Sequence, residues 1–141
     1  MNIPLSFLFN QIVWTMNKHA DKILKREFEV TFKQFLMMAT LSNIQPTTQH
    51  HLAQCLEYSD AAVSRMVNKL ATSGYLTIKR DPSHLKKRVV ALKDTGLKMV
   101  RDASKLLETE FLKSVEDTGV NGRVLHADLV RINDKLKEKN I

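Results

Sequence analysis

Apolar residues recur along this chain at helical intervals, and one short stretch alternates instead. Leu5, Leu8, Ile12, Met16, Ile23 and Leu24 predict a first helix over residues 4–27. Phe7, Phe9, Val13 and Trp14 widen its apolar stripe beyond what one core contact needs, so a second copy of the chain is expected to cover the surplus. "VTFKQFLMMATL" predicts a second helix with Thr31 as its N-cap. "SNIQPTT" reads as a turn. Thr47 or Thr48 then starts a third helix, "QHHLAQCLEY", with Leu52, Cys55 and Leu56 facing inward. Ser59 caps a fourth helix, Asp60 sits in its first turn where the helix dipole favours an acid, and Gly74 closes it. "YLTIKR" and "RVVAL" predict two strands around the loop "DPSHLKK". Asp94 or Thr95 opens a long helix to about residue 116, with Leu97, Val100, Leu107 and Phe111 on one side. "TGVNG" breaks it, and a last helix over 122–138 carries Val124, Leu125, Leu129, Ile132 and Leu136.

The order is four helices, a hairpin and two helices, with a helix-turn-helix running into the hairpin. That is the layout of a winged helix. The expected class is therefore mainly α with a small β-hairpin wing. Residues 1–29 and 94–141 are expected to form a dimerisation region around a lobe at 30–93.

Composition supports this and narrows it. A chain of 141 residues with 43% hydrophobic positions is one globular domain, and only four glycines and three prolines favour helices over an all-β fold. The formal charge is +7, which implies an acidic partner, either nucleic acid or an anionic membrane surface; charge alone does not choose. The single cysteine, Cys55, excludes an intramolecular disulfide and a cysteine zinc site. Asn10, Gln11 and Asn17 make the N-terminal segment too polar to span a bilayer, and no small-residue cleavage site follows. A reduced, cytoplasmic protein is expected, with no membrane association.

"SDAAVSRMVNKLATSGYL" carries the candidate chemistry. At about 100° per residue from Val63, the residues Val67, Leu70 and Met66 form the core face, near 40°, 340° and 300°. Opposite lie Asn68, Ala61, Thr72 and Arg65, between about 140° and 200° on the same count, with Lys69 beside them. Small residues in the first turns let a helix backbone approach a major groove. On that reading Ala61 and Ala62 meet thymine methyls, Arg65 bridges guanine O6 and N7, Asn68 pairs with adenine, and Ser64 and Lys69 suit phosphates. Helix angle alone does not separate this from an ordinary solvated face. The hairpin tips the balance: Lys79 to Arg88 hold five Lys and Arg against one Asp, directly after the helix. A basic tip there reaches the backbone or the minor groove.

These segments resemble the MarR family of bacterial winged-helix regulators, over most of the chain and most strongly from residue 30 to 100. "VTFKQFLMMATL" is similar to the family's "LTxxQFxxLxxL", with Thr31, Gln34 and Phe35 at the matching places. "TTQHHLAQCLEYSDAAVSRMVNKLATSGYL" is similar to "TQxxLAxxLxxSxxxVSRxVxxLxxxGxL", and Asp81-Pro82 followed by "VVALKDTG" resembles the wing and its return strand. The resemblance implies a homodimer with interlocked terminal helices, presenting two recognition helices to successive major grooves of double-stranded DNA. Thr48 and Gln49 at the start of the helix-turn-helix, with Lys79, Arg80, His84, Lys86, Lys87 and Arg88 on the wing, join the expected contacts. The wing departs from the family: its "DxR" falls on His84-Leu85-Lys86, so the bracing acid is gone and a lysine replaces the arginine. Lysine is more strongly hydrated and lacks the planar fork, so weaker minor-groove reading is expected, with Lys87 and Arg88 sharing the backbone contact.

Family members commonly lose DNA affinity on binding a small phenolic ligand, on cysteine oxidation or on metal binding. A small-molecule effector site near Trp14, Phe35 and Met38 is one expectation; core packing is the plainer reading of those three. Cys55, placed inward, reads as a core residue and not a sensor. His50 and His51 are adjacent and diverge by about 100° on a helix, and His19, His84 and His126 are scattered, so no metal or cofactor is expected. No Ser-His-Asp or Cys-His arrangement, phosphate loop or carboxylate pair marks an enzyme. The expected function is a homodimeric repressor on a pseudo-palindromic operator. A winged-helix dimer that docks an acidic protein, or binds DNA without sequence preference, is the alternative.

Overall fold

The computed structural model describes residues 2–139, apart from the side chains of residues 85 and 86. Its elements run α1 (Leu5–Phe28), α2 (Phe32–Ile44), β1 (Thr47–Thr48), α3 (Gln49–Leu56), α4 (Asp60–Thr72), β2 (Leu76–Asp81), β3 (His84–Leu92), α5 (Asp94–Glu116) and α6 (Gly122–Glu138). The mainly helical class with a β wing is as the pattern predicts. Two compact units divide the chain, Met1–Ser104 and Lys105–Ile141.

In the first unit α2, α3 and α4 begin where side chains can replace missing intrahelical bonds. Thr31 and Gln34 form a reciprocal capping box at α2, and the Asp21 carboxylate accepts a further N–H, from Phe32, at 2.8 Å. Thr48 caps α3 through the His51 N–H, and Ser59 caps α4 through the Ala62 N–H, each at 3.1 Å. After α4 the chain passes through Gly74 at φ +85°, a conformation that a β-carbon disfavours.

Leu24, Met37, Met38, Leu41, Leu52, Val63, Val67, Leu70, Leu76 and Val90 are almost wholly buried and join α1, α2, α3, α4 and the sheet in one core. Each such side chain contributes about 1.5–3 kcal/mol by leaving water. Strand order is β1-β3-β2, all antiparallel, with Thr48 opposite Val89 and Ile78 opposite Val90. Leu76 lies opposite Leu92 and Arg80 opposite Arg88.

Several sequence expectations shift here. α2 continues three residues past Leu41 into the expected turn, and Thr47–Thr48 form a third strand. The wing strands absorb most of "DPSHLKK", leaving Pro82 and Ser83 as the connection, because Asp81 accepts hydrogen bonds from both the N–H and the hydroxyl of Ser83 and closes the turn. That pairing holds the Asp81 carboxyl below its ordinary pKa. Cys55 is exposed, with its Sγ 3.6 Å from His51 Nε2; the core face of α3 runs through Leu52 and Ala53 instead. On α5 the buried residues are Gly96, Met99 and Ala103, whereas Leu97 stays exposed. A β-carbon on Gly96 would overlap the Tyr75 carbonyl oxygen, so α5 starts against the link between α4 and β2 at backbone distance.

The two terminal helices hide little of themselves. On α1 only Ala20 and Leu24 are buried, and Leu5, Phe7, Leu8, Ile12, Val13 and Trp14 are exposed. In the second unit α6, capped by Asn121, buries no residue and leaves Val124, Leu129, Val130, Ile132 and Leu136 exposed. No described helix is long and apolar enough to cross a membrane.

Candidate nucleic-acid interface

α4 buries Val63, Val67 and Leu70, which fixes the side it turns outward. Ala61, Arg65, Asn68, Lys69 and Thr72 are exposed on that side, while Ala62 and Ser64 are half-buried at its borders. The helix-turn-helix angle is held from outside the core as well. His50 Nδ1 of α3 lies 3.0 Å from the Asp60 carboxylate at the N-terminus of α4. The expected groove-facing residues therefore share one outward face, small at its N-terminal end and cationic further along.

Thr48 and Gln49 are half-buried at the start of α3. The Thr48 hydroxyl is already engaged as a cap, and Gln49 Oε1 is buried without a hydrogen-bond partner among the described residues. Both belong more to the joint between sheet and helix than to an open surface.

On the wing, Lys79, Arg80, His84 and Lys87 are exposed and Arg88 is half-buried. The side chain of Lys86, which the resemblance places at the minor groove, lies outside the described residues. Arg88 does not project from the wing. Its Nη1 donates to Ser64 Oγ at 3.2 Å and its Nη2 to Asn68 Oδ1 at 2.6 Å, both on α4. Strand alternation explains the direction: Arg88, Val90 and Leu92 share one face of β3, and the last two are buried in the core. Arg88 continues that core-facing row beyond the apolar part, beside α4. The sequence assigned Ser64, Asn68 and Arg88 to separate contacts; the structure bonds them to one another. Only the strand register reveals this link, across 20 and 24 residues of chain.

Trp14, Phe35 and Met38 do not gather around one cavity. Phe35 and Met38 are core residues, whereas Trp14 is 64% exposed. Trp14 lines an open groove of about 500 Å³ with Asn17, Lys18, Asp21, Thr31, Phe32 and Lys33, and the Lys18 ammonium sits 4.9 Å from its ring centroid. Lys25, 2.7 Å away, and the Phe32 N–H keep the Asp21 carboxyl below its usual range. Among the described residues no three His, Cys, Asp or Glu side chains are grouped as metal ligands.

The capped helix α4, α3 packed across it and a three-stranded sheet define the class: a winged helix-turn-helix protein. Residues 28–86 match the model of the MarR family. Over 80 residues it is 31% identical to an uncharacterised helix-turn-helix-type transcriptional regulator of Bacillus anthracis, a match covering 57% of this chain and 52% of that protein. The chain thus spans about half the length of the curated relatives it matches. Among solved structures it is similar to apo MarR from E. coli (TM-score 0.80, 18% identity, 96% of this chain and 98% of that one). It is also similar to S. aureus MepR in complex with DNA (TM-score 0.74, 19% identity, 97% and 99%). These likenesses to solved structures show a shared fold over nearly the whole chain.

Proposed function

We propose that this protein is a sequence-specific DNA-binding regulator, acting in the cytoplasm as a homodimeric repressor on a pseudo-palindromic operator. One observation carries the reading: the outward face of α4 combines Ala61 at its start with exposed Arg65, Asn68 and Lys69. Such a face admits close approach to a major groove and supplies donors to base edges and phosphates. The wing adds exposed Lys79 and Lys87 on the C-terminal side of the same helix. The MepR–DNA complex shares this fold and supports the reading.

A second copy of the chain accounts for the exposed apolar faces of α1 and α6. Half-site centres would then lie about one helical turn, roughly 34 Å, apart. A small-molecule effector that relieves repression would fit the open groove beside Trp14, which Lys18, Asp21 and Lys33 also line.

Selection of bound duplexes from a random pool, at low and moderate salt, tests the proposal. A two-fold symmetric motif is the expected result. Binding without enrichment would leave a backbone-only DNA binder, and no binding at any salt would favour an acidic protein partner.

A further inference from the structure

Arginine has five N–H donors and no acceptor, so the Asn68 atom that faces Arg88 at 2.6 Å must be the amide oxygen. The orientation of the amide is thereby set by chemistry: Oδ1 toward the wing, Nδ2 away from it. Ser64 is held in the same sense, its oxygen accepting from Arg88 Nη1 while its own proton stays free to donate. Ser64 and Asn68 are four residues apart and stack on one flank of α4, so one planar guanidinium spans both.

Arg80 stands directly across the ribbon from Arg88. Like charges at directly opposed positions are unfavourable, and a bond from Arg88 to the helix is a stable alternative to facing Arg80.

An asparagine that reads adenine uses both ends of its amide, the NH2 toward N7 and the oxygen toward the N6 amino group. At Asn68 the oxygen already accepts a charge-assisted hydrogen bond. It keeps a second lone pair, but a base amino group offered to it would meet the guanidinium's own N–H donors. The Nδ2 hydrogens carry no such obstacle, and the cation beside the oxygen makes them better donors. Together with Arg65 and Lys69, which only donate, they present acceptor-seeking groups along the exposed face. Adenine answers such a face with N7 alone, beside an N6 amino group that donates against it, whereas guanine O6 and N7 and thymine O4 answer it with acceptors only.

Resting on the reading of α4 as the base-contacting helix, we propose that Arg88 is a specificity-determining residue. It locks Asn68 as a hydrogen-bond donor and turns its preference from adenine to guanine or thymine. Arg88 acts through Asn68 and is a positioning residue. A purely structural Arg88 would change affinity for all sequences alike and leave base preference untouched.

The test is selection of bound duplexes by the full chain and by Arg88→Leu, Asn68→Ala and Asn68→Asp, each first checked for folding by circular dichroism and thermal melting. The base pair whose preference disappears in Asn68→Ala is the one that Asn68 reads. There the unaltered protein should select guanine or thymine, and Arg88→Leu should shift the ratio about tenfold toward adenine. Asn68→Asp keeps an oxygen for Arg88 and makes the outer atom an acceptor, so it should shift selection toward cytosine, whose N4 amino group donates. Adenine selected by the unaltered protein, or an unchanged preference in folded Arg88→Leu, overturns the proposal. If Arg88→Leu does not fold, failure of Asn68→Asp to gain cytosine overturns it. If the unaltered protein enriches no motif at all, it is the reading of α4 as a base-contacting helix that fails.

Discussion

α4 and α6 are both amphipathic helices of ordinary length, yet they use their apolar residues in opposite ways. α4 puts Val63, Val67 and Leu70 out of contact with water and offers a polar face. α6 buries nothing and leaves Val124, Ile132 and Leu136 in the open. Helical periodicity announces that a stripe exists; whether the same chain covers it depends on what packs there. Around α4 the covering elements are supplied by the fold itself. The apolar faces of α1 and α6 are the ones a second protomer would have to cover.

The largest effect should come from charging the uncovered stripe. Leu129→Asp with Leu136→Asp leaves the winged lobe alone, so sedimentation velocity should report a monomer and half-site avidity should be lost. Binding to a full operator should weaken by a factor of about 10²–10⁴. An unchanged sedimentation coefficient would mean that α6 is not the dimer surface. Gly96→Ala probes the covered side of the comparison. Its β-carbon meets the Tyr75 carbonyl, and chemical denaturation should show a loss of about 1–3 kcal/mol. A neutral result would mean that α5 can move away from Tyr75 at no cost.

Arg65→Ala tests the exposed face of α4 itself, and should cost about 1–3 kcal/mol per half-site in operator binding while relaxing preference at one base pair. Retained preference would remove Arg65 from base reading. Lys87→Ala, on the wing, should weaken binding to all sequences alike and reduce the slope of log affinity against log salt by about 1. The smallest effect concerns Asp21, whose folded-state pKa is lowered, first by Lys25 and then by the Phe32 N–H. A depressed carboxylate stabilises the fold above its unfolded value of 3.8, and that contribution is lost as pH falls through the lower folded value. Acid titration of Asp21→Asn should therefore show a shallower fall in stability below that pH than the unaltered protein.

What the sequence discloses follows from how local the cause is. The caps at Thr31, Thr48 and Ser59 and the stop at Gly74 act within four residues, and each is found where the residue type predicts it. β1 is two residues long, too short for alternation to register, and exists only because β3 lies beside it. Cys55 and Leu97 sit at angles that periodicity assigns to the core, but neighbours cover Ala53 and Met99 instead. The outward face of α4 was legible because its opposite face is so plainly apolar. The bond from Arg88 to Asn68 was not, since a shift of one residue in strand register would turn that arginine to the other side of the ribbon.

Thr48 holds two positions at once: it is the outer strand's last residue, opposite Val89, and the hydroxyl that caps α3. Strand fraying and helix fraying thus share a hinge. In hydrogen exchange, the His51 amide and the ladder around Val89 should open in one event, with one free energy, and a perturbation at the base of the wing would register as a loosening of the first turn of the helix-turn-helix.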